Sequence, residues 1–222
     1  MAELTFSPGP IIRKGWEFTR NNIIVMLGLL LLEIVIYVIL SLIGGSDTYS
    51  VRYILISLIS ALVLQYYSLA FYKITLDITD GGEAGFSVFS KVKRLFIPYF
   101  FTNVVVGIIV LAGLVIFIIP GVYLWVRLAY APMFVITNGA NPLDAIQQSW
   151  SLTSGFFWPV LGLGLLLLLL NVLGVIALVV GFFITSIITM FAYTISFRTL
   201  EQLQNQSFFQ AGPSTGNAGT EN

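Results

Sequence analysis

The sequence predicts an all-α protein, a polytopic transmembrane helical bundle of about six spans, and three observations predict it. Of its 222 residues 58% are hydrophobic and 9% are charged, with a mean hydropathy of +0.96. Soluble domains are about 45–50% apolar and about 25% charged, so lipid rather than a folded interior must take up this excess. Second, the chain holds apolar runs of the roughly 20 residues that cover the hydrocarbon core of a bilayer at 1.5 Å per residue. Third, Lys and Arg fall almost entirely in alternate connecting segments, the pattern that orients spans.

The runs occupy 23–43, 53–72, 96–119, 122–136 and 156–197. The segment ahead of the first holds Arg13, Lys14 and Arg20. The run itself is about 21 residues long without a small-residue cleavage pattern, so it is read as a retained span and not a signal peptide. The last run is twice the needed length and is read as two helices, with Gly174 and Gly181 bracketing the turn between them. The fourth is short. It follows Pro120-Gly121, carries Arg127 near its middle, and contains Pro132, which removes a backbone donor and frees the carbonyl of Leu128. In lipid that carbonyl must find a partner inside the protein, so this helix is expected to be kinked or packed within the bundle. Pro120, Gly121 and Pro132 are the expected helix breaks.

With both termini on the cytoplasmic side, that side holds Arg13, Lys14, Arg20, Lys73, Lys91, Lys93, Arg94 and Arg198, against Arg52 alone on the other. The residues after Glu201 turn polar, and 204–222 are expected to form a disordered cytoplasmic tail behind a single transmembrane domain, 1–203.

An internal similarity organises the bundle. At a constant offset of 134 residues, Ile12, Trp16, Thr19, Leu27, Gly28 and Leu29 align with Ile146, Trp150, Thr153, Leu161, Gly162 and Leu163. The Trp-x-x-Thr pair ahead of a span is the specific part. Both segments read as amphipathic helices lying in the membrane interface and feeding a span. In the second, Asn141 caps, Pro142 suits the first turn and Asp144 favours the helix dipole. A weaker third copy is read in 86–96 from Phe86, Phe89 and Phe96. Three units follow, each an interfacial helix plus a helical hairpin, at about 8–73, 82–137 and 141–200. Trp16, Trp150 and Trp158 are the expected interfacial anchors, and Lys91, Lys93 and Arg94 the expected contacts to anionic lipid headgroups.

The segments Ile119-Pro-Gly-Val-Tyr-Leu-Trp-Val-Arg127-Leu-Ala-Tyr-Ala-Pro132, Asn141-Pro-Leu-Asp-Ala145 and Ser149-Trp-Ser-Leu-Thr-Ser-Gly155-Phe-Phe-Trp158 together resemble a signature of a bacterial membrane-domain superfamily. That superfamily includes the membrane domain of glycerophosphoryl diester phosphodiesterases and the YciC-like inner-membrane proteins. The resemblance covers about 40 residues and implies a multi-pass bundle in the bacterial cytoplasmic (inner) membrane. The acidic residue usual in that family is replaced here by Thr137-Asn138-Gly139. The phosphodiesterase chemistry of those proteins belongs to a separate soluble domain and does not transfer to this chain.

No His and no Cys occur, which removes imidazole bases, thiolates and the commonest transition-metal ligands. No catalytic residue, metal site or cofactor is therefore expected. Net charge is zero with no basic run, so nucleic acid is not an expected partner. Glu33 and Arg127 each fall near the centre of a span, where a charge costs about 2.5–3.5 kcal/mol, and are expected to form an intramembrane polar site or a structural ion pair. Asn103, Asn171, Gln65, Tyr66 and Tyr67 are expected to bond between helices, and Gly28, Gly107, Gly113, Gly162 and Gly164 to permit close helix contact. Asp77, Asp80 and Glu83 around Gly81-Gly82 read as a solvated turn. The function expected is non-enzymatic: a scaffold, accessory subunit or lipid-handling protein, with membrane lipids and a membrane protein or second copy as partners. A small-solute or lipid transporter using Glu33 and Arg127 is the alternative.

Overall fold

The computed structural model describes residues 6–45, 50–82, 85, 87–176 and 178–210. Helices α1 (Pro8–Asn21), α2 (Ile23–Gly44) and α3 (Val51–Thr79) come first. A short α4 (Val88–Lys91) passes through a 3₁₀ turn, Val92–Leu95, into α5 (Phe96–Ile116). Helices α6 (Ile118–Leu128), α7 (Ala131–Asn138), α8 (Pro142–Leu152), α9 (Phe157–Ile176) and α10 (Leu178–Gln210) complete the chain. Six helical stretches among the described residues are long and apolar enough to cross a membrane, α6 and α7 counting as one. The protein is a multi-pass all-α membrane protein.

The spans pair as three antiparallel hairpins: α2 with α3, α5 with α6 and α7, and α9 with α10. Small residues set the two tightest crossings. A Cβ on Gly121 would lie 2.7 Å from the Leu114 Cα, and one on Gly174 would lie 3.0 Å from the Gly181 carbonyl oxygen. Close backbone approach of this kind substitutes for hydrophobic drive between helices in lipid. The buried residues gather toward the end of the bundle that carries both chain ends, at Leu69–Ile78, Val126–Ile136 and Ile187–Leu200, whereas Leu42, Val51, Ile118 and Ile176 at the opposite hairpin tips are exposed. The hairpins are thus joined at one end and part toward the other.

What joins them is a cyclic exchange of short helices. Helix α1 precedes the first hairpin but docks on α10: Gly15 packs against the backbone at Ile188 and Ala192, and the Phe18 and Phe191 rings stack at 5.7 Å. The α4 segment precedes the second hairpin but docks on α3, where the Tyr66 hydroxyl donates to the Phe89 carbonyl and the Tyr67 and Phe89 rings lie 5.8 Å apart. Helix α8 precedes the third hairpin but docks on the junction of α6 and α7 through Ser149. Each short helix seats on the second helix of a different hairpin.

Three boundaries differ from the sequence expectation. The turn before span four falls at Phe117, in extended backbone (φ −160°, ψ 153°), and not at Pro120-Gly121. Pro120 sits in the first turn of α6, where an absent N–H costs nothing because those donors have no intrahelical acceptor. Span four accordingly runs 118–138 and is not short. Pro132 does mark a break: α6 stops at Leu128, and Pro132 lies at the start of α7. Third, helix α10 continues through 204–210, which were expected to begin a disordered tail. Glu201-Gln-Leu-Gln are good helix formers, Leu200 is fully buried, and Gln204 reaches Ser151 of α8 at 3.3 Å. The rest of that tail, 211–222, lies outside the described residues, as do Glu83 and Phe86.

Candidate functional site

At the α6–α7 break several buried hydroxyl residues converge. Across a break at Tyr130 and Pro132, the carbonyls of Arg127 and Ala129 lose their regular helical donors. Ser149 Oγ donates to the Arg127 carbonyl at 2.8 Å and accepts the Tyr130 N–H at 3.1 Å, so one hydroxyl satisfies both sides of the gap. Thr153 Oγ1 lies 3.4 Å from the same Arg127 carbonyl, and the Tyr193 hydroxyl donates to the Ala129 carbonyl. Ser149 and Thr153 are fully buried, one helical turn apart. Their spacing of four is visible in the sequence, but its target was not.

Tyr130, Tyr193 and Tyr72 form the axis of the molecule, one from the second helix or helix pair of each hairpin. The Tyr130 and Tyr193 rings stack at 5.2 Å, and Tyr72 meets Tyr193 at 5.6 Å. Around this axis lie cavities bounded by the parted hairpins. One, about 480 Å³, is walled chiefly by α6, α9 and α10, with Trp125, Val160, Leu167, Leu168 and Phe182 among its lining residues. Trp125 shapes it by lying over Gly164, where a Cβ would come 2.7 Å from the indole. Several polar side chains in its wall are already engaged: Asn171 donates to Thr189 Oγ1 at 2.7 Å and to the Leu167 carbonyl at 2.8 Å, the Tyr193 hydroxyl is taken by Ala129, and the Tyr130 hydroxyl bonds Ser196, which leaves the Tyr72 hydroxyl and the Trp125 indole N–H. The cavity therefore presents mostly carbon.

Arg127 and Glu33 do not meet. Helix α2 packs on α3, and α6 packs on α5, so the two residues belong to different hairpins. The Arg127 guanidinium instead turns toward α8. It lies 5.2 Å from the Tyr123 ring and 5.1 Å from the Trp150 ring, donating from Nε to the Tyr123 hydroxyl at 3.1 Å and from Nη1 toward the Trp150 carbonyl at 3.5 Å. Ring quadrupoles attract a cation without neutralising it. Glu33 lines a separate cavity of about 440 Å³ between α2, α3 and α10. The expected joint polar site is thus two sites.

Trp16, Trp150 and Trp158 are exposed, as are Lys91, Lys93 and Arg94 on the turn entering α5. Asp77 pairs with Lys73 at 2.7 Å, and Asp80 accepts from Arg198 Nε at 2.9 Å, so the acidic turn is tied into the bundle. Of the glycines expected at helix contacts, Gly113 and Gly164 meet a neighbour closely, whereas Gly28, Gly107 and Gly162 have nothing within 4 Å. Asn171 bonds between helices as expected, but Asn103 bonds the Tyr99 carbonyl of its own helix. No protein-family model, curated protein or solved structure matches the chain.

Proposed function

We propose that this is a non-enzymatic lipid-handling protein of a bacterial cytoplasmic membrane, with both termini inside, built from three interfacial-helix-plus-hairpin units. The observation that carries the lipid reading is the cavity beside Trp125. Its volume of about 480 Å³ lies within the range of about 300–1,000 Å³ for small-molecule sites, and its wall is mostly apolar, with Asn171 and Tyr193 held in hydrogen bonds to the protein. A polar solute would find little there beyond the Tyr72 hydroxyl and the Trp125 indole N–H. An acyl chain needs neither, and the surrounding bilayer supplies it.

The eight-to-one distribution of Lys and Arg supports the orientation. The resemblance of the 119–158 segment to bacterial inner-membrane domains supports the membrane. The unit reading is supported by matched local chemistry at the offset of 134: Thr19 Oγ1 donates to the Gly15 carbonyl at 2.7 Å and Thr153 Oγ1 to the Ser149 carbonyl at 2.9 Å. Trp16 and Trp150 stand exposed beside those pairs, at 46% and 41%.

The test is photo-crosslinking with a phospholipid carrying a diazirine on its acyl chain, in nanodiscs, followed by peptide mapping. Labelling is expected to concentrate on α6, α9 and α10 and to fall when Leu168→Trp fills the cavity from its lipid side. Equal labelling of every lipid-facing helix, unchanged by Leu168→Trp, would overturn the reading.

A further inference from the structure

The Glu33 cavity has a composition unlike its neighbour, and it is distinct from the groove on which the lipid reading rests, with Tyr72 and Phe182 bordering both. Glu33 lies near the middle of α2, a helix otherwise without a charged residue. Among the described residues neither an ion pair nor a hydrogen bond reaches its carboxylate, and the cations are engaged or remote: Lys73 holds Asp77, and Arg198 holds Asp80 and Glu201. A carboxylate in a span is expensive to keep and is ordinarily paired. Here it borders about 440 Å³ of open space whose wall includes Tyr37, Tyr67, Phe71, Phe182 and Phe183. Some of the polar lining is committed elsewhere, since the Tyr67 hydroxyl donates to the Leu29 carbonyl and the Ser186 hydroxyl to the Phe182 carbonyl. What the cavity offers a ligand is one negative charge inside a wall of aromatic rings.

We propose that this cavity is a binding site for a lipophilic cation, a quaternary ammonium, phosphonium or hydrophobic amine. Each feature of the wall selects for that class. The carboxylate supplies the counter-charge at a depth where water does not compete. Ring faces attract a cation whose charge is spread over carbon, and they do so most strongly when it is desolvated. An inorganic cation such as sodium would need several oxygen ligands converging on one point, and the Tyr67, Ser68 and Ser186 hydroxyls of the wall are each bonded to other protein groups. An anion is rejected by Glu33 itself. The opening lies between helices that face lipid, so the ligand arrives through the bilayer, which a lipophilic cation enters readily and a hydrated ion does not.

The probe is tetraphenylphosphonium, measured by equilibrium binding to the full chain in lipid nanodiscs against protein-free nanodiscs. Saturable binding near one per chain is expected. Glu33→Gln, which keeps the side-chain shape and removes the charge, is expected to weaken it roughly thirtyfold or more, the loss typical when one partner of a desolvated charge pair is removed. Ser186→Phe, which fills the cavity and leaves Glu33 in place, is expected to weaken it too. Tetraphenylborate, equal in bulk and opposite in charge, is expected not to compete. Helical circular dichroism and a single elution peak establish that each variant folds. No saturable binding by the natural chain, equal affinity in Glu33→Gln, or competition by tetraphenylborate would each overturn the proposal. None of these outcomes bears on acyl-chain labelling beside Trp125.

Discussion

Replacing Ser149 by alanine removes the one atom that bridges the α6–α7 break. The Tyr130 N–H loses its acceptor, at 3.1 Å, in a position whose residue is 2% exposed. The Arg127 carbonyl loses a 2.8 Å donor but keeps the longer contact from Thr153 at 3.4 Å. An orphaned buried donor costs about 1–3 kcal/mol, while a hydrogen bond between membrane helices averages about 0.6 kcal/mol. The expected loss is therefore about 2 kcal/mol, a change of about thirtyfold in the folded-to-unfolded ratio. Thr19→Ala is the matched control. Its hydroxyl bonds only the Gly15 carbonyl of its own helix, so its removal should cost a few tenths of a kcal/mol. Unfolding in mixed micelles of rising SDS fraction, followed by far-ultraviolet circular dichroism, measures both. Combining Ser149→Ala with Thr153→Val strips the Arg127 carbonyl of both hydroxyls, and the cost should exceed the sum of the single changes because the fallback donor is lost. Equal midpoints for Ser149→Ala and Thr19→Ala would refute the bridging account.

Two further outcomes follow from the packing. Gly121→Ala sets a methyl 2.7 Å from the Leu114 Cα, a backbone atom that cannot swing aside, so overpacking should destabilise the second hairpin by about 1–3 kcal/mol in the same SDS titration. Asp80→Asn weakens the link to Arg198, whose side chains are 43% and 30% exposed, and the measured loss should stay below about 1 kcal/mol and shrink further with added salt.

The spans were legible because each depends only on local composition. Residues 23–43 and 53–72 reappear within α2 and α3, and the split of the last run reappears between Ile176 and Leu178. Ends were less legible where a neighbour decides them: α3 runs on to Thr79 because Ile74, Leu76 and Ile78 are buried by other helices, and α10 runs on because α8 gives Gln204 a partner. The candidate site failed in the sequence for a related reason. Two unpaired charges at similar positions along their spans suggest a pair, but only the packing order of the hairpins reveals that α2 and α6 are not neighbours. Arg127 then takes aromatic rings in place of a carboxylate. Thr153 was visible only as the partner of Thr19 in the repeat, and nothing singled out Ser149. A sequence pattern could not show that these two small hydroxyl residues would meet a broken stretch of backbone.

The cyclic docking explains how the bundle can hold cavities at all. A hairpin pair packed along its full length would bury its apolar faces against its neighbours and leave no space between spans. Here the hairpins are joined chiefly by α1 and α8 and by α3 packing directly on α10, with α4 contributing on α3, toward the end where the chain termini lie. Such contacts fix the second helix of each hairpin near the tyrosine axis and leave the opposite tips free to part, with lipid solvating what they expose. The exposed Leu42, Ile118 and Ile176 at those tips are then no packing failure, since hydrocarbon around them is as apolar as a partner helix. The Pro132 break belongs to the same arrangement. It interrupts the backbone ladder just where α8 supplies Ser149, so docking and backbone satisfaction are one interaction. The hairpins are held to one another by hydroxyls, aromatic rings and the close approach at Gly15 at one end, and the space left toward the other is what the proposed lipid chain and lipophilic cation would enter.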